Sequence, residues 1–289
     1  MNTRKRTILC SVMESGGEIE RLRLVKQLFL LSQENDQLDR VGLYDFLPYK
    51  RGPFSFALYH DLGALHRAGF MGYATHHRLS LTERGKELIA GLQVQFREAI
   101  NLNIRSYAGI ETKALLDQVY DRYPFYTMNS QCVAKRAMPR PKADIRVYTV
   151  GYEGLSIDAF LLLLLHNGME RLIDVRKNPV ARRYGFHKSS LATNCSRLGI
   201  EYLHVPQLGI ESSWRASVQT SEERDKLFDR YNTEVLAQGS TSIDCVRTLL
   251  EQRPSALMCM EADFSCCHRS HLATRLSLLT GFPIQELRG

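Results

Sequence analysis

Cysteine and histidine side chains are concentrated in residues 259–271, where the pattern Cys-x6-Cys-Cys-His-x2-His contains Cys259, Cys266, Cys267, His268 and His271. Thiolate and imidazole groups are ligands that zinc and iron prefer. The spacing differs from a zinc knuckle, which has two separated Cys-x2-Cys pairs, and adjacent cysteines are expected to point in different directions. We therefore predict no cofactor, while a metal at Cys259, Cys267, His268 and His271 stays open as an alternative.

Three residues are candidates for catalysis. Glu261 could act as a general acid or base with Asp174 as a second carboxylate, directing a water or stabilising an oxocarbenium-like centre beside a base or ribose. Cys267 could be a nucleophile, because the start of a predicted helix and Arg269 would lower the pKa of its thiol. The alternative is that each carboxylate only holds an arginine in an ion pair.

A second set of residues is suited to binding phosphate. Arginine grips phosphate through two parallel hydrogen bonds, and a helix N-terminus attracts anions. The predicted substrate-binding or phosphate-binding residues are Tyr152, Arg176, Arg182, Arg183, Lys188, His268 and Arg269.

The elements that must position these residues alternate between strands and helices. Strands are predicted at 146–150, 171–176, 201–205 and 255–260, and helices at 156–165, 189–198, 221–236, 241–252 and 268–279. This alternation indicates a mostly parallel sheet, whose ligands bind at the carboxyl ends of the strands. We expect Asp174, Arg176, Arg183, Glu261, Cys267, His268 and Arg269 to line one pocket there.

Motifs in this region, in this order, resemble the domain-of-unknown-function 488 family over about residues 146–287. They are Val150-Gly151-Tyr152, Ile173-Asp174-Val175-Arg176, Arg182-Arg183, Phe186, Gly199-Ile200-Glu201-Tyr202, Leu208-Gly209, Cys259-x-Glu261 and Cys267-His268-Arg269. The resemblance implies an α/β fold and supplies no established reaction.

The first part of the chain has a different pattern. Its elements follow the order of a winged helix-turn-helix. They are a helical repeat at 19–34, a turn-rich connector at 44–55, a helix at 56–68 capped by Ser55, two short strands at 70–81 and a helix capped by Thr82. In such a module Lys50, Arg51 and Arg78 would contact nucleic acid. The alternative is a dimerisation or protein-docking module.

The stretch Tyr49-Lys50-Arg51-Gly52-Pro53-Phe54-Ser55 is similar to the winged modules of antitoxin-like proteins of the SocA/Panacea type. The resemblance covers about residues 19–125. This resemblance allows a function in a toxin–antitoxin system or in phage defence.

The net charge also differs between the first part of the chain and the rest. Residues 1–140 carry 20 basic and 14 acidic side chains, a net charge of +6, whereas the rest carries +1 of the total +7. The basic half suggests a polyanionic partner. The predicted fold class is α/β, with a mainly α winged module at 1–128, a basic, proline-containing linker at 129–144 that includes Lys135 and Arg136, and an α/β domain at 145–289.

The seven cysteines are an odd number without a disulfide framework, and no apolar run is long enough for a membrane span, so a cytoplasmic protein is predicted. The favoured function is a nucleic-acid-directed enzyme, a hydrolase or glycosidase in phage defence or DNA repair, with DNA as the favoured partner. The alternatives are a regulator that senses a nucleotide-like ligand without turnover and a toxin–antitoxin-type interaction protein. A homodimer is compatible with each.

Overall fold

The computed structural model describes residues 1–34, 43–107, 109–132, 137–215 and 218–289. The chain divides into two compact units, Met1–Pro139 and Arg140–Gly289. No helix within these described ranges is long and apolar enough to cross a bilayer. Of the predicted linker, Lys135 and Arg136 lie outside the described residues. Arg140 is half-buried and donates hydrogen bonds to the carbonyl oxygens of Leu198 and Met169, so it is anchored on the second unit.

The first unit combines helices with two small sheets. Its elements are α1 (Thr3–Glu14), β1 (Glu18–Glu20), α2 (Arg21–Glu34), β2 (Leu47–Tyr49), β3 (Gly52–Phe54), α3 (Phe56–Arg67), β4 (Met71–Thr75), β5 (Arg78–Leu81), α4 (Glu83–Ala90), α5 (Val94–Arg105) and α6 (Thr112–Arg122). One apolar core, formed largely by α1 and α2 with α3, holds these elements together.

The predicted strands at 70–81 are confirmed as the antiparallel pair β4–β5, to which β1 adds a third strand. Both predicted helix caps are present as well. The Ser55 hydroxyl accepts a hydrogen bond from the Leu58 amide, and the Thr82 hydroxyl accepts one from the Gly85 amide. The winged helix-turn-helix assignment stays a prediction, because the chain between α2 and β2 includes residues 35–42, which lie outside the described ranges.

The connector at 44–55 contains regular structure that its prolines and glycine do not predict. Strands β2 and β3 pair antiparallel, with Tyr49 opposite Gly52, so that Lys50 and Arg51 form the tip of a two-residue turn. Gly52 has a φ of 76°, which favours glycine, and a Cβ there would lie 2.7 Å from Tyr120 Cε1. The tight turn therefore depends on glycine at this position.

The second unit contains a sheet of five parallel strands in the order β10-β6-β9-β7-β8. Its elements are β6 (Val147–Gly151), α7 (Ile157–His166), β7 (Arg171–Asp174), α8 (Lys188–Arg197), β8 (Glu201–His204), α9 (Ser212–Arg215), α10 (Ser221–Arg230), α11 (Ser240–Gln252), β9 (Ser255–Cys259), α12 (Arg269–Thr280) and β10 (Ile284–Leu287). The predicted parallel sheet is confirmed, and β10 is an edge strand that the pattern does not predict. The predicted helix at 221–236 ends at Arg230 and continues as one π-helical turn, Tyr231–Leu236.

A close backbone contact fixes the chain just after β9. A Cβ on Gly151, the last residue of β6, would lie 1.9 Å from the carbonyl oxygen of Glu261. The amides of Tyr152 and Glu153 donate to the Met260 carbonyl at 3.1 and 2.9 Å. The end of β6 therefore determines where Glu261 lies.

We predict that Gly151→Ala lowers the free energy of unfolding by about 1–3 kcal/mol, as other overpacking substitutions do. The single tryptophan, Trp214, lies in the second unit, so urea titration followed by its fluorescence measures this change. Ser190→Ala, at an exposed position on α8, is the control and should stay within about 0.5 kcal/mol. A Gly151→Ala variant as stable as the control would contradict the close contact.

Candidate functional site

The carboxyl ends of the parallel strands meet at one edge of the sheet. Strands β7 and β9 are neighbours there, with Asp174 opposite Met258 in the register, and β6 ends with Gly151 opposite Cys259. The predicted site residues that follow these strands separate into two groups, one after β9 and one after β7.

The group after β9 brings four potential ligand side chains together. Suitable atoms of Cys259, Glu261, Cys267 and His268 all lie within 4.8 Å of one another, and we call this set the Cys–Glu cluster. Glu261 Oε2 lies 2.9 Å from Cys259 Sγ and 3.1 Å from Cys267 Sγ. His268 Nδ1 lies 3.7 and 3.9 Å from the same two sulfur atoms.

Arg215, on the short helix α9, binds this cluster from the side. Its guanidinium donates to Glu261 Oε1 at 2.9 Å and approaches His268 Nδ1 at 3.2 Å. No sequence motif marks Arg215 as a site residue. The only tryptophan of the chain, Trp214, precedes it, and in the structure Arg230 packs over the Trp214 ring at 3.8 Å. Arg215 reaches β9 only because the chain folds back after β8.

The ionisation of the cluster differs from the sequence-based expectation. Burial opposes ionisation of Cys259, yet hydrogen bonding to Cys267 and the charges of His268 and Arg215 hold the pKa of the Cys259 thiol well below its ordinary value. Burial and the adjacent Cys259 raise the pKa of the Cys267 thiol, which the sequence predicted to be lowered. Burial and Cys259 also raise the pKa of Glu261. Of the two thiols, Cys259 is therefore the one whose ionised form its surroundings favour.

A cavity of about 190 Å³ adjoins the cluster. Glu261 and His268 contribute to its wall together with two arginines, Arg215 and Arg224, and the rest of the lining consists of Ile210, Val218, Leu227, Phe228 and Cys266. The cavity thus combines one carboxyl group with two cations, and arginine side chains of this kind can hold an anionic group.

The group after β7 is a buried ion pair. Asp174 is 0% exposed, and its Oδ2 accepts hydrogen bonds from Arg176 Nη2 at 2.6 Å and from the Tyr202 hydroxyl at 2.7 Å. Arg176 also donates to the Tyr152 hydroxyl and to the Phe186 carbonyl. Tyr152 stacks on Phe186 with ring centroids 4.3 Å apart. These contacts give Asp174 and Arg176 partners inside the protein.

Arg269 is also directed inward. It is 0% exposed and donates to the carbonyl oxygens of Glu261 and Ala262, with Glu286 of β10 at 3.7 Å. A guanidinium in this position fastens the loop after β9 to the start of α12.

The remaining predicted residues of this unit lie outside the cluster. Arg182, Arg183 and Lys188 are exposed, and Arg183 donates to the Gly154 carbonyl at 3.1 Å. His271 packs against the ring of Phe228, and Cys266 faces Asp263.

In the first unit, the predicted nucleic-acid-binding residues lie together. Lys50, Arg51 and Arg78 are exposed and line a groove of about 670 Å³ with Arg21 and Lys26, and we call these five residues the basic groove. The lining also includes the acidic Glu20 and the aromatic rings of Tyr49, Phe54 and Tyr59.

Lys26 forms the buried floor of this groove. Its side chain is 1% exposed, Nζ donates to the Pro53 carbonyl at 2.8 Å, and burial lowers the pKa to about 7. Burial thus disfavours the charged form of this lysine.

Residues 156–276 match the sequence model of the family described as Domain of unknown function DUF488. This stretch covers most of the second unit, including the Cys–Glu cluster, so the second unit carries a DUF488 domain. No curated protein matches the chain.

We predict that Asp174→Asn lowers the free energy of unfolding by about 3–5 kcal/mol, because it leaves the buried charge of Arg176 without its partner. Urea titration followed by Trp214 fluorescence measures the decrease. Asp225→Asn, an exposed carboxylate on α10, is the control and should leave the unfolding curve unchanged. If the two variants are equally stable, the Asp174–Arg176 pair is not structural.

Proposed function

We propose that this protein is a nucleic-acid-directed hydrolase. The basic groove binds the phosphate backbone, and the Cys–Glu cluster hydrolyses a bond in a base, sugar or phosphate, with N-glycosidic cleavage as one candidate reaction. The observation that carries the proposal is the position of Glu261, a carboxyl group with a raised pKa, at a cavity that Arg215 and Arg224 also line.

Glu261 is suited to acid–base catalysis because it lies at the wall of a cavity, where burial and the neighbouring Cys259 raise its pKa. In the proposed reaction it takes a proton from a water in the cavity, or gives one to the leaving group. Arg215 and Arg224 would hold an anionic part of the substrate or balance negative charge that develops on it. This places the anion-binding role of the second unit on these two arginines, since Arg176 and Arg269 are occupied by internal partners.

The basic groove supports binding to a nucleic-acid backbone by its shape and charge. Lys50 and Arg51 lie at the tip of the two-residue turn between β2 and β3, and Arg78 begins β5 in the neighbouring hairpin. Basic side chains fixed on hairpin tips can reach phosphates without ordering a flexible segment, which lowers the entropy cost of binding. DNA is the favoured partner because the order of elements resembles a winged helix.

We expect salt-sensitive binding of the full-length protein to a labelled duplex oligonucleotide, measured by fluorescence anisotropy. The double variant Lys50→Ala/Arg51→Ala should weaken binding and reduce the slope of log affinity against log salt by about 0.9 for each phosphate that is no longer neutralised. The matched control, Arg6→Ala/Lys113→Ala, removes two exposed charges outside the groove and should keep the wild-type slope. Equal slopes for the two variants would remove the groove from the proposal.

For the reaction, we expect full-length protein to convert at least one member of a panel of nucleosides, nucleotides and oligonucleotides with modified bases, detected by mass spectrometry. Glu261→Gln should abolish turnover and leave the Trp214 unfolding curve in place, whereas Asp263→Asn should stay active. Wild-type protein that binds DNA through the groove but converts no member of the panel would exclude the hydrolase and favour the regulator.

A further inference from the structure

The Cys–Glu cluster has the geometry of a metal site. We propose that Cys259, Cys267, His268 and Glu261 bind one divalent transition-metal ion of the zinc type. This site goes beyond the proposed hydrolase, since metal binding is measured without any substrate.

The distances between the two sulfur atoms and the imidazole nitrogen fit a tetrahedral ion. Bond lengths of about 2.3 Å to sulfur and about 2.0–2.1 Å to nitrogen give an S···N separation of roughly 3.6 Å at a tetrahedral angle. The two observed S···N separations are 3.7 and 3.9 Å. Glu261 Oε2 lies closer to the sulfurs than the ion requires, at 2.9 and 3.1 Å, and a rotation of this partly exposed side chain corrects that.

The ligands come from separate positions that the fold brings together. Cys259 ends β9, Glu261 lies in the following loop, and Cys267 and His268 precede α12. Of the two adjacent cysteines only Cys267 belongs to the cluster. The ligand set thus differs from the one considered from the sequence, because Glu261 replaces His271.

Charge balance supports a divalent cation. The metal-bound form would contain two thiolates and one carboxylate beside the cation of Arg215, and the formal charges of these four groups sum to −2. Cys259 and Cys267 are buried, and uncompensated charges at such positions are costly. A divalent ion neutralises the set, and on binding each thiol exchanges its S–H bond for a metal–sulfur bond and releases the proton to solvent.

The arrangement also gives the ion access to the cavity. Cys259, Cys267 and His268 are buried, whereas Glu261, which lines the cavity wall beside His268, is partly exposed. Glu261 is therefore the ligand that can exchange with a water or a substrate oxygen, as catalytic zinc sites require.

The test is metal content of the full-length protein purified without chelators or a polyhistidine tag, followed by titration of demetallated protein with Co²⁺. We expect about one Zn²⁺ or similar ion per chain, and a Co²⁺ spectrum with sulfur-to-metal charge-transfer bands, as a site with two thiolates requires. Cys267→Ser should lose at least tenfold in affinity for Co²⁺. Cys266→Ser, one residue away and outside the cluster, should bind like wild type.

Several results would overturn the site. One is that the wild-type protein binds neither Zn²⁺ nor Co²⁺. A second is that Cys266→Ser and Cys267→Ser lose the same affinity for Co²⁺. A third is a Cys259–Cys267 disulfide in freshly purified metal-free protein. Should Cys267→Ser fail to fold, the Co²⁺ spectrum of wild type still decides the matter. Metal binding without turnover would leave this site standing while the hydrolase falls. Turnover by a wild-type protein that binds neither ion would leave the hydrolase standing while this site falls.

Discussion

The buried guanidinium of Arg269 is the interaction on which the site in the second unit depends. It holds the carbonyl oxygens of Glu261 and Ala262 and approaches Glu286 of β10. A fully buried cation is stable only where several acceptors surround it. The loop after β9, strand β10 and the start of α12 must therefore come together around this guanidinium. Glu261 and the residues before α12 are thereby held together, and the close approach of Gly151 to the Glu261 carbonyl fixes the same loop from the side of β6.

The two carboxylate–arginine pairs at this edge of the sheet differ in their surroundings. Asp174 and Arg176 are both buried and share hydrogen bonds with Tyr202, Tyr152 and the Phe186 carbonyl, which leaves the carboxylate no room for a ligand. Glu261 and Arg215 form the same kind of pair at the wall of a cavity, and two thiols compete for the carboxylate. Burial and the neighbouring Cys259 raise the pKa of Glu261, whereas Arg215 lowers it by a smaller amount.

In the first unit, local backbone geometry positions the charged side chains. The two-residue turn between β2 and β3 needs the positive φ of Gly52, and this turn presents Lys50 and Arg51 side by side. The buried Lys26 ties the hairpin to α2 through the Pro53 carbonyl. A surface charge pattern therefore rests on one glycine and one buried lysine.

The sequence alone determined the features that local periodicity and capping control. The strands at 71–81, the caps Ser55 and Thr82, the parallel sheet and the position of Glu261, Cys267 and His268 after β9 all follow from neighbouring residues. Other features do not follow from neighbouring residues. They are the hairpin at 47–54, helix α1, strand β10, the position of Arg215 and the inward direction of Arg176 and Arg269. These depend on contacts between segments far apart in the chain, because burial and the choice of hydrogen-bond partner are set by which surfaces meet, and a one-dimensional pattern does not contain that information.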